Sequence, residues 1–488
     1  MNQTFIVGKY TLESLTNGMY SSPLVLYREY IQNAVDSIDE AIKMGITSQS
    51  DACIDIALYP DDSIIRIKDN GCGINIENAG KFLIDIGNSK KCRTYTRGFR
   101  GIGRLAGLGY CNALTFITSA KGETQKTEIS FDAAELKKLL IPGTNDDDSI
   151  YDVINKVVNK KVLPEKASEH YFEVVLSGID KGNDIIVYES LKKYLTQNIP
   201  LPFSPDFKWG KTISSKIKMN GYIVPEYNVY LTVNGKKEQL YKPYKDTIIS
   251  DRVKKLEDNI RDIQVEVIGD NKSPMAIIWY ASTNFFGTII DTSIKGLRIR
   301  QGNILIGNGH TCSQFFKEER FNGWVIGEIH ILTNNLIANS RRDNFEQNEY
   351  YQIFATEIEK TAILITKELR KLSYERSLSN EKKIIAEAES IADINSLCVE
   401  DMDFANPSDE YTLMNMSDSE LEAENDFVNK FSLLLNQKQS QTKYLAININ
   451  NKLTHEQRKS LERVFDLISQ IYPESTANDF INTIASKF

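Results

Sequence analysis

The chain has 488 residues, 41% of them hydrophobic and 25% charged, with a net charge of −8 and an isoelectric point near 5.4. That length is enough for two or three domains with their own cores, and the acidic balance argues against a general polyanion binder. Six cysteines show no C-x-x-C spacing, which suggests neither a zinc site nor a disulfide framework. The opening MNQTFIVGKY lacks the charged and apolar regions of a signal peptide, and no apolar run reaches membrane-spanning length. A soluble, cytoplasmic protein is expected.

In chain order, the first marked element is Tyr27–Asp36, YREYIQNAVD, a helix entered at Ser22-Pro23 as N-cap and first helical residue and closed by Gly45. Its spacing puts Glu29, Asn33 and Asp36 on one stripe, while Leu26, Ile31, Ala34, Val35 and Ile38 supply apolar surface around it. Burying a charge without a partner is costly, so such a stripe on a core helix asks for a ligand, a metal or a water network. Ala52–Tyr59 and Ile64–Lys68 read as a hairpin that ends at Asp69. Gly71 and Gly73 follow around Cys72, where the backbone can take positive φ and approach a ligand closely. A polar stretch rich in Lys and Arg then leads to Gly98, Gly101 and Gly103, ahead of an apolar helical run. Glycines that open a helix present free amides to a phosphate.

Ala113–Ala120, Thr124–Phe131 and His170–Gly178 are expected as further strands of the same sheet. Ile185–Gln197 reads as a helix stopped by Ile199-Pro200-Leu201-Pro202, which places a domain boundary near residue 200. Residues 203–345 look strand-rich, with a hairpin at Asn234-Gly235 and strands at Ile263–Ile268, Met275–Ala281, Leu297–Ile306 and Trp324–Leu332. Arg298 and Arg300 flank a strand and are expected to be solvated or structural. Ile358, Ala362, Ile365, Leu369 and Leu372 recur at 4, 3, 4, 3 spacing, a seam for a partner helix or for an intramolecular hairpin. From Ile384 to Asn429 there is no Lys or Arg, which reads as a solvated acidic linker, and amphipathic helices broken at Pro473 end the chain. The expected division is 1–199, 200–345, a long helix over 346–395, a linker over 396–429 and a helical region over 430–488.

The combination of E-x-x-x-N at Glu29 and Asn33, D-x-G-x-G at Asp69, Gly71 and Gly73, and the glycines of RGFRGIG resembles the GHKL, or Bergerat-fold, ATPases. That superfamily includes the ninety-kilodalton heat-shock chaperones, MutL and MORC proteins, the gyrase B subunit and sensor histidine kinases, and the resemblance covers roughly residues 20–120. It implies an α+β chain with an α/β sandwich ATPase domain, an S5-like transducer domain and a helical C-terminal region. It implies that Glu29 polarises the attacking water, that Asn33 ligates Mg²⁺ and that Asp69 accepts the adenine amino group, with Asp36, Gly71 and Gly73 at the base pocket. Gly98, Gly101, Ile102 and Gly103 would wrap the phosphates of ATP, with Ser89, Lys90 and Lys91 of the lid close by. The segment NNLIANSRRDNFE resembles the chaperone element whose arginine reaches the γ-phosphate, which favours Arg342, with Arg341 second.

One departure stands out: the Gly-Thr usual at the start of the late strand is replaced by Glu169-His170-Tyr171. A P-loop is absent, and His455-Glu456 lacks the proline of a kinase phosphoacceptor box. The resemblance therefore points to a chaperone-like, Mg²⁺- and ATP-dependent clamp of the heat-shock-protein-90-like or MORC-like branch, acting as a homodimer on a protein client, with no membrane association. A MutL- or MORC-like clamp on DNA, in repair or defence, and a nucleotide-regulated binding module with little turnover are the alternatives.

Overall fold

The computed structural model describes residues 9–10, 22–85, 103–143, 148–180, 182–251, 254–270, 273–339 and 341–397, with side chains as far as 376, and a few positions between 464 and 481. The chain divides into two compact units, Met1–Ser373 and Tyr374–Phe488. An eight-stranded and a five-stranded sheet with their covering helices, and a small two-stranded sheet, make up the first, and the chain is an α+β protein.

Helix α1 (Val25–Lys43) is the spine of the first layer. Leu26, Tyr27, Ile31, Val35, Ile38 and Ala41 are all within 1% of full burial, so the apolar stripe expected from sequence faces the sheet. The regular helix begins at Val25, a little later than Ser22-Pro23 implies, but Ser22 does accept the Leu24 N–H on its Oγ at 3.4 Å, and Ser22 and Pro23 form the turn that leads in. Its end follows the expectation, because Gly45 takes φ +69° and the N–H groups of Gly45 and Ile46 close back on Ile42 and Ala41.

Under α1 lies an eight-stranded sheet built from β1 (Cys53–Tyr59), β2 (Ile64–Asp69), β3 (Ala113–Ser119), β4 (Gln125–Asp132), β5 (Val158–Pro164), β6 (Tyr171–Ser177), β7 (Asn228–Val233) and β8 (Lys236–Gln239). The spatial order is β5-β4-β3-β6-β2-β1-β7-β8, antiparallel throughout except for β1 with β7. Alternation in β2 puts Ile65, Ile67 and Asp69 on the helix side and Arg66 and Lys68 on the open side. The sheet therefore does not end near residue 200. Asn228 to Val233 add a parallel strand beside β1, and the carbonyls of Pro200 and Pro202 accept from Tyr227 and Lys242 as the chain returns. Two prolines there mark a turn within the layer, which local reading cannot distinguish from a domain edge.

Helix α2 (Ile76–Ile84) follows the Gly71–Gly73 turn, and α3 (Ala133–Leu139) and α4 (Ile150–Val157) follow β4. Helix α5 (Tyr188–Asn198) lies against α1, and α6 (Trp209–Met219) leads towards the second sheet. After the small hairpin β9 (Thr247–Ser250) and β10 (Leu256–Asn259) come β11 (Asp262–Asp270), β12 (Ser273–Ser282), β13 (Gly296–Gln301), β14 (Ile304–Ile306) and β15 (Ile326–Ile331), ordered β11-β12-β15-β13-β14. The stretch Leu297–Ile306 is two strands rather than one, because Gly302 and Asn303 both take positive φ and turn the chain back.

Both faces of this sheet are covered. Ile277, Trp279 and Ala281 of β12 pack with Ile213 and Ile217 of α6, while Ala276, Ile278 and Tyr280 pack with α7 (Glu349–Leu397). The seam expected to meet a partner helix is used here instead: Ile358, Ala362, Ile365 and Leu369 are at most 1% exposed against the sheet. A 3-4 apolar spacing fits a sheet face as well as a second helix, which is why sequence left the partner open.

Glu328 of β15 is the polar centre of this layer. Its buried carboxylate accepts from Arg300, from Lys242 Nζ at 2.6 Å, from Tyr244 at 3.1 Å, from Trp279 Nε1 at 3.3 Å and from His330 Nε2 at 3.1 Å. Arg300 also donates to the Gln197 carbonyl at 2.9 Å, at the end of α5, so this cluster ties the second sheet to the first layer. Arg298 and Arg300 are 2% and 1% exposed, structural rather than solvated. Burial, outweighing its bond to Glu328, pushes His330 down to about 4, so it donates as a neutral ring at pH 7. A group neutral in the fold and protonated when unfolded weakens stability as pH falls from its unfolded value, about 6.5, towards 4. Urea unfolding of the full chain should therefore show stability falling over that window. Glu328→Ala should cost about 3–5 kcal/mol at pH 7, because it strands buried cations; a loss under 1 kcal/mol would deny the cluster its structural role.

Candidate functional site

The site is built along α1, whose residues from Glu29 to Ser37 rise about 12 Å at 1.5 Å each. At its Ser37 end, the turn after β2 comes in close. Asp69, 3% exposed, ends β2 on the helix side and accepts the Gly71 N–H at 2.9 Å. A Cβ on Gly71 would lie 2.2 Å from Ser37 Oγ, so only glycine lets the turn approach α1. Gly73 takes φ +65°, and a Cβ there would lie 1.9 Å from the Ser119 carbonyl. The turn is held by Cys72 N–H to Ser37 Oγ at 3.1 Å, Ile74 N–H to Thr118 Oγ1 at 2.7 Å, and His170 Nδ1 to the Gly71 carbonyl at 2.9 Å. Asp36, 9% exposed, neighbours this end on the same helix. Burial, with Glu40 and Asp69 nearby, pushes the Cys72 thiol up to about 11, so it stays protonated at pH 7.

Glu29 lies at the other end, with Asn33 half-buried one turn along. Gly103 opens a 3-10 helix, Gly103–Gly109, whose first residue presses on Glu29; a Cβ on Gly103 would lie 2.4 Å from Glu29 Oε2. Tyr30 anchors that helix by donating to the Arg104 carbonyl at 3.1 Å and accepting the Gly107 N–H at 2.9 Å. Two guanidinium groups flank the Glu29 carboxylate. Arg28 Nη2 is 3.7 Å from Oε1, and Arg342 Nε is also 3.7 Å from Oε1. Neither contact is a hydrogen bond, and the carboxylate accepts none among the described residues.

Arg342 comes from the loop after the second sheet, more than 300 residues along the chain. That loop is a tight turn: Ala338 bridges Phe345, Arg342 N–H reaches the Asn339 carbonyl at 3.1 Å, and the Arg342 carbonyl accepts from Gly307 at 2.9 Å. Arg342 itself has φ +56°, an unfavourable backbone state for a residue with a Cβ, held by the turn around it. Arg341 contributes its backbone, since its carbonyl accepts from Arg28 Nη2 at 3.2 Å while its side chain is exposed. The structure thus brings the guanidinium of Arg342, not that of Arg341, to Glu29.

Of the sequence-derived residues, Glu29, Asn33, Asp36, Asp69, Gly71, Gly73, Gly103, Arg341 and Arg342 are placed as above. Ser89, Lys90, Lys91, Gly98, Gly101 and Ile102 lie outside the described residues. Sequence reading missed Arg28, Ser37, Thr118 and His170, whose side chains join the site by tertiary contact. Only Arg28 carried a local signal, as an arginine inside the buried stripe of α1.

Residues 20–160 match the family of histidine kinase-, DNA gyrase B-, and HSP90-like ATPases, which supports ATP binding. Among curated proteins nothing matches the chain. The expectation that Asp69 accepts the adenine amino group is testable, because Asp69→Asn would keep an acceptor for the Gly71 N–H and lose a charge-assisted bond to the base. Calorimetric titration with a non-hydrolysable ATP analogue should show affinity reduced by about 1.5–3 kcal/mol, and unchanged affinity would remove Asp69 from the base pocket.

Proposed function

We propose that the chain is a Mg²⁺-dependent ATPase that works as a clamp, hydrolysing ATP when the loop carrying Arg342 is docked on Glu29. The observation that supports this most is the 3.7 Å approach of Arg342 to Glu29, which joins the second sheet to the helix of the ATPase domain. In this reading the adenine lies at the Asp69 end of α1 and the triphosphate at the Glu29 end, under the amides that open Gly103–Gly109. Glu29 takes the proton of the attacking water as general base. Arg342 supplies positive charge where phosphoryl transfer develops negative charge, so docking of its loop and turnover become one event.

The donor set fits a magnesium ion carried in with the phosphates. Asn33 offers a hard amide oxygen one turn from Glu29, and the described residues contain no cluster of three His, Cys, Asp or Glu that would form an all-protein cage. When bound there, Mg²⁺ would neutralise phosphate charge, with Asn33 as its side-chain ligand. The net charge of −8 favours a protein client over DNA. A homodimer, also proposed, must use surfaces other than the Ile358–Leu369 seam, which the second sheet occupies.

Purified variants separate the roles. Glu29→Ala should bind ATP while turnover falls by about 10²–10⁴-fold, and a wild-type rate in that variant would refute the reading. Arg342→Ala should lower turnover by about 10³-fold or more with affinity within about threefold, because the arginine acts on the transition state. Asn33→Ala should weaken binding and raise the magnesium concentration needed for half-maximal rate.

A further inference from the structure

The second sheet takes one face of α7 and leaves another open. Beside the buried seam at Ile358–Leu369, a second row runs along the same helix through Tyr350, Ile353, Glu357, Lys360, Leu364 and Lys367, at spacings of 3, 4, 3, 4 and 3. This repeat keeps side chains on one stripe, as a helix facing another helix requires. Tyr350, Ile353 and Leu364 are 44%, 45% and 53% exposed. One exposed apolar side chain needs no explanation, but three on a single row at this spacing do. The whole row lies within the first compact unit.

The charges along the row select what can cover it. They run Glu357, Lys360, Lys367, one acid before two bases. Laid parallel on a copy of itself, the row would set every charge against the same charge, and like charges across a helix pair repel. Laid antiparallel, about a two-fold axis between Ile358 and Glu359, each position meets a complement. Ile353 faces Leu364 of the second copy, Glu357 faces its Lys360, and Tyr350 faces its Lys367, where an ammonium can lie over the ring. Within one chain Lys360 already donates to Glu357 at 2.6 Å. Two such pairs meeting at the axis make a cluster of four charges with alternating sign, each lysine between two carboxylates.

We propose that this row is a homodimer interface, in which α7 packs antiparallel on α7 of a second copy with Ile353 against Leu364 and Glu357 against Lys360. It gives the proposed homodimer its surface and rests on that reading. From Tyr350 to Lys367 the row spans about 26 Å at 1.5 Å per residue, and a helix pair of that length buries less than the about 800 Å² per partner of a standard stable interface. Its central layers are polar, and polar layers fix register at a cost in stability. The contact is therefore reversible, as a clamp that opens and closes needs.

Sedimentation equilibrium of the full chain over a range of concentrations tests it. The wild-type chain should show a monomer–dimer equilibrium. Leu364→Glu should weaken the dimer by about tenfold or more, because a carboxylate then enters both apolar layers. Glu357→Lys and Lys360→Glu should each weaken it too, because like charges then meet across the axis. Mixed together, these two variants should pair again, since one chain then carries only lysines at the axis and the other only glutamates. Melting temperatures should stay close to wild type, because exposed ion pairs contribute little to the fold. A dimer indifferent to all three substitutions, or single variants that dissociate and fail to pair when mixed, overturns the inference alone. A wild-type chain that stays monomeric overturns the homodimer reading with it, while ATP turnover by that monomer would leave the catalytic reading standing.

Discussion

The Glu29 carboxylate between two guanidinium groups is the contact on which the rest of the arrangement depends. Arg28 is its sequence neighbour and costs nothing to deliver, but Arg342 has to be carried in by a loop beyond the second sheet. Placing a charge across that distance in sequence demands rigid elements between, because a 3.7 Å contact is lost with a small shift of the loop. The backbone of Arg342 at φ +56° shows where that demand is met locally, in a turn whose hydrogen bonds hold a conformation the residue would not choose.

The polar cluster around Glu328 ties the second sheet to the first layer. A carboxylate buried without partners would neutralise itself or destabilise the fold, yet here cations and hydroxyl, indole and imidazole donors surround it. One of those cations, Arg300, reaches the Gln197 carbonyl at the end of α5, the helix that packs on α1. A movement of the second sheet would therefore be felt at α5 as well as at the Arg342 loop. Arg300 thus ties the second sheet to the helix that packs on α1, while the Arg342 loop meets Glu29 directly.

The family match over residues 20–160 covers α1, the Asp69 turn and the helix at Gly103, and stops short of everything that delivers Arg342. The end of the site at Asp69 and the helix opened by Gly103 thus lie within the matched residues. The loop that carries Arg342 lies outside them, and α5, β7 and β8 continue the first layer beyond the matched residues before the second sheet begins. The seam at Ile358–Leu369 is covered by the second sheet and is not an open surface.

By itself the sequence determined the features that local chemistry dictates. The stripe of Glu29, Asn33 and Asp36 on a helix, the glycines after Asp69 and the strand alternation of β2 follow from periodicity and from where only glycine fits. The ANSRRD turn could be marked as a candidate, but which arginine points to Glu29 could not, since adjacent side chains diverge and only the turn's φ selects Arg342. Three other things were invisible locally because each is a choice among partners that fit equally well. An apolar seam packs on a sheet or on a helix, two prolines end a turn or a domain, and Arg298 and Arg300 look the same whether solvated or buried. Tertiary structure decided these through the parallel pairing of β7 with β1 and the burial of Glu328. It alone showed which face of α7 is left exposed, because burial is a property of a place and not of a residue.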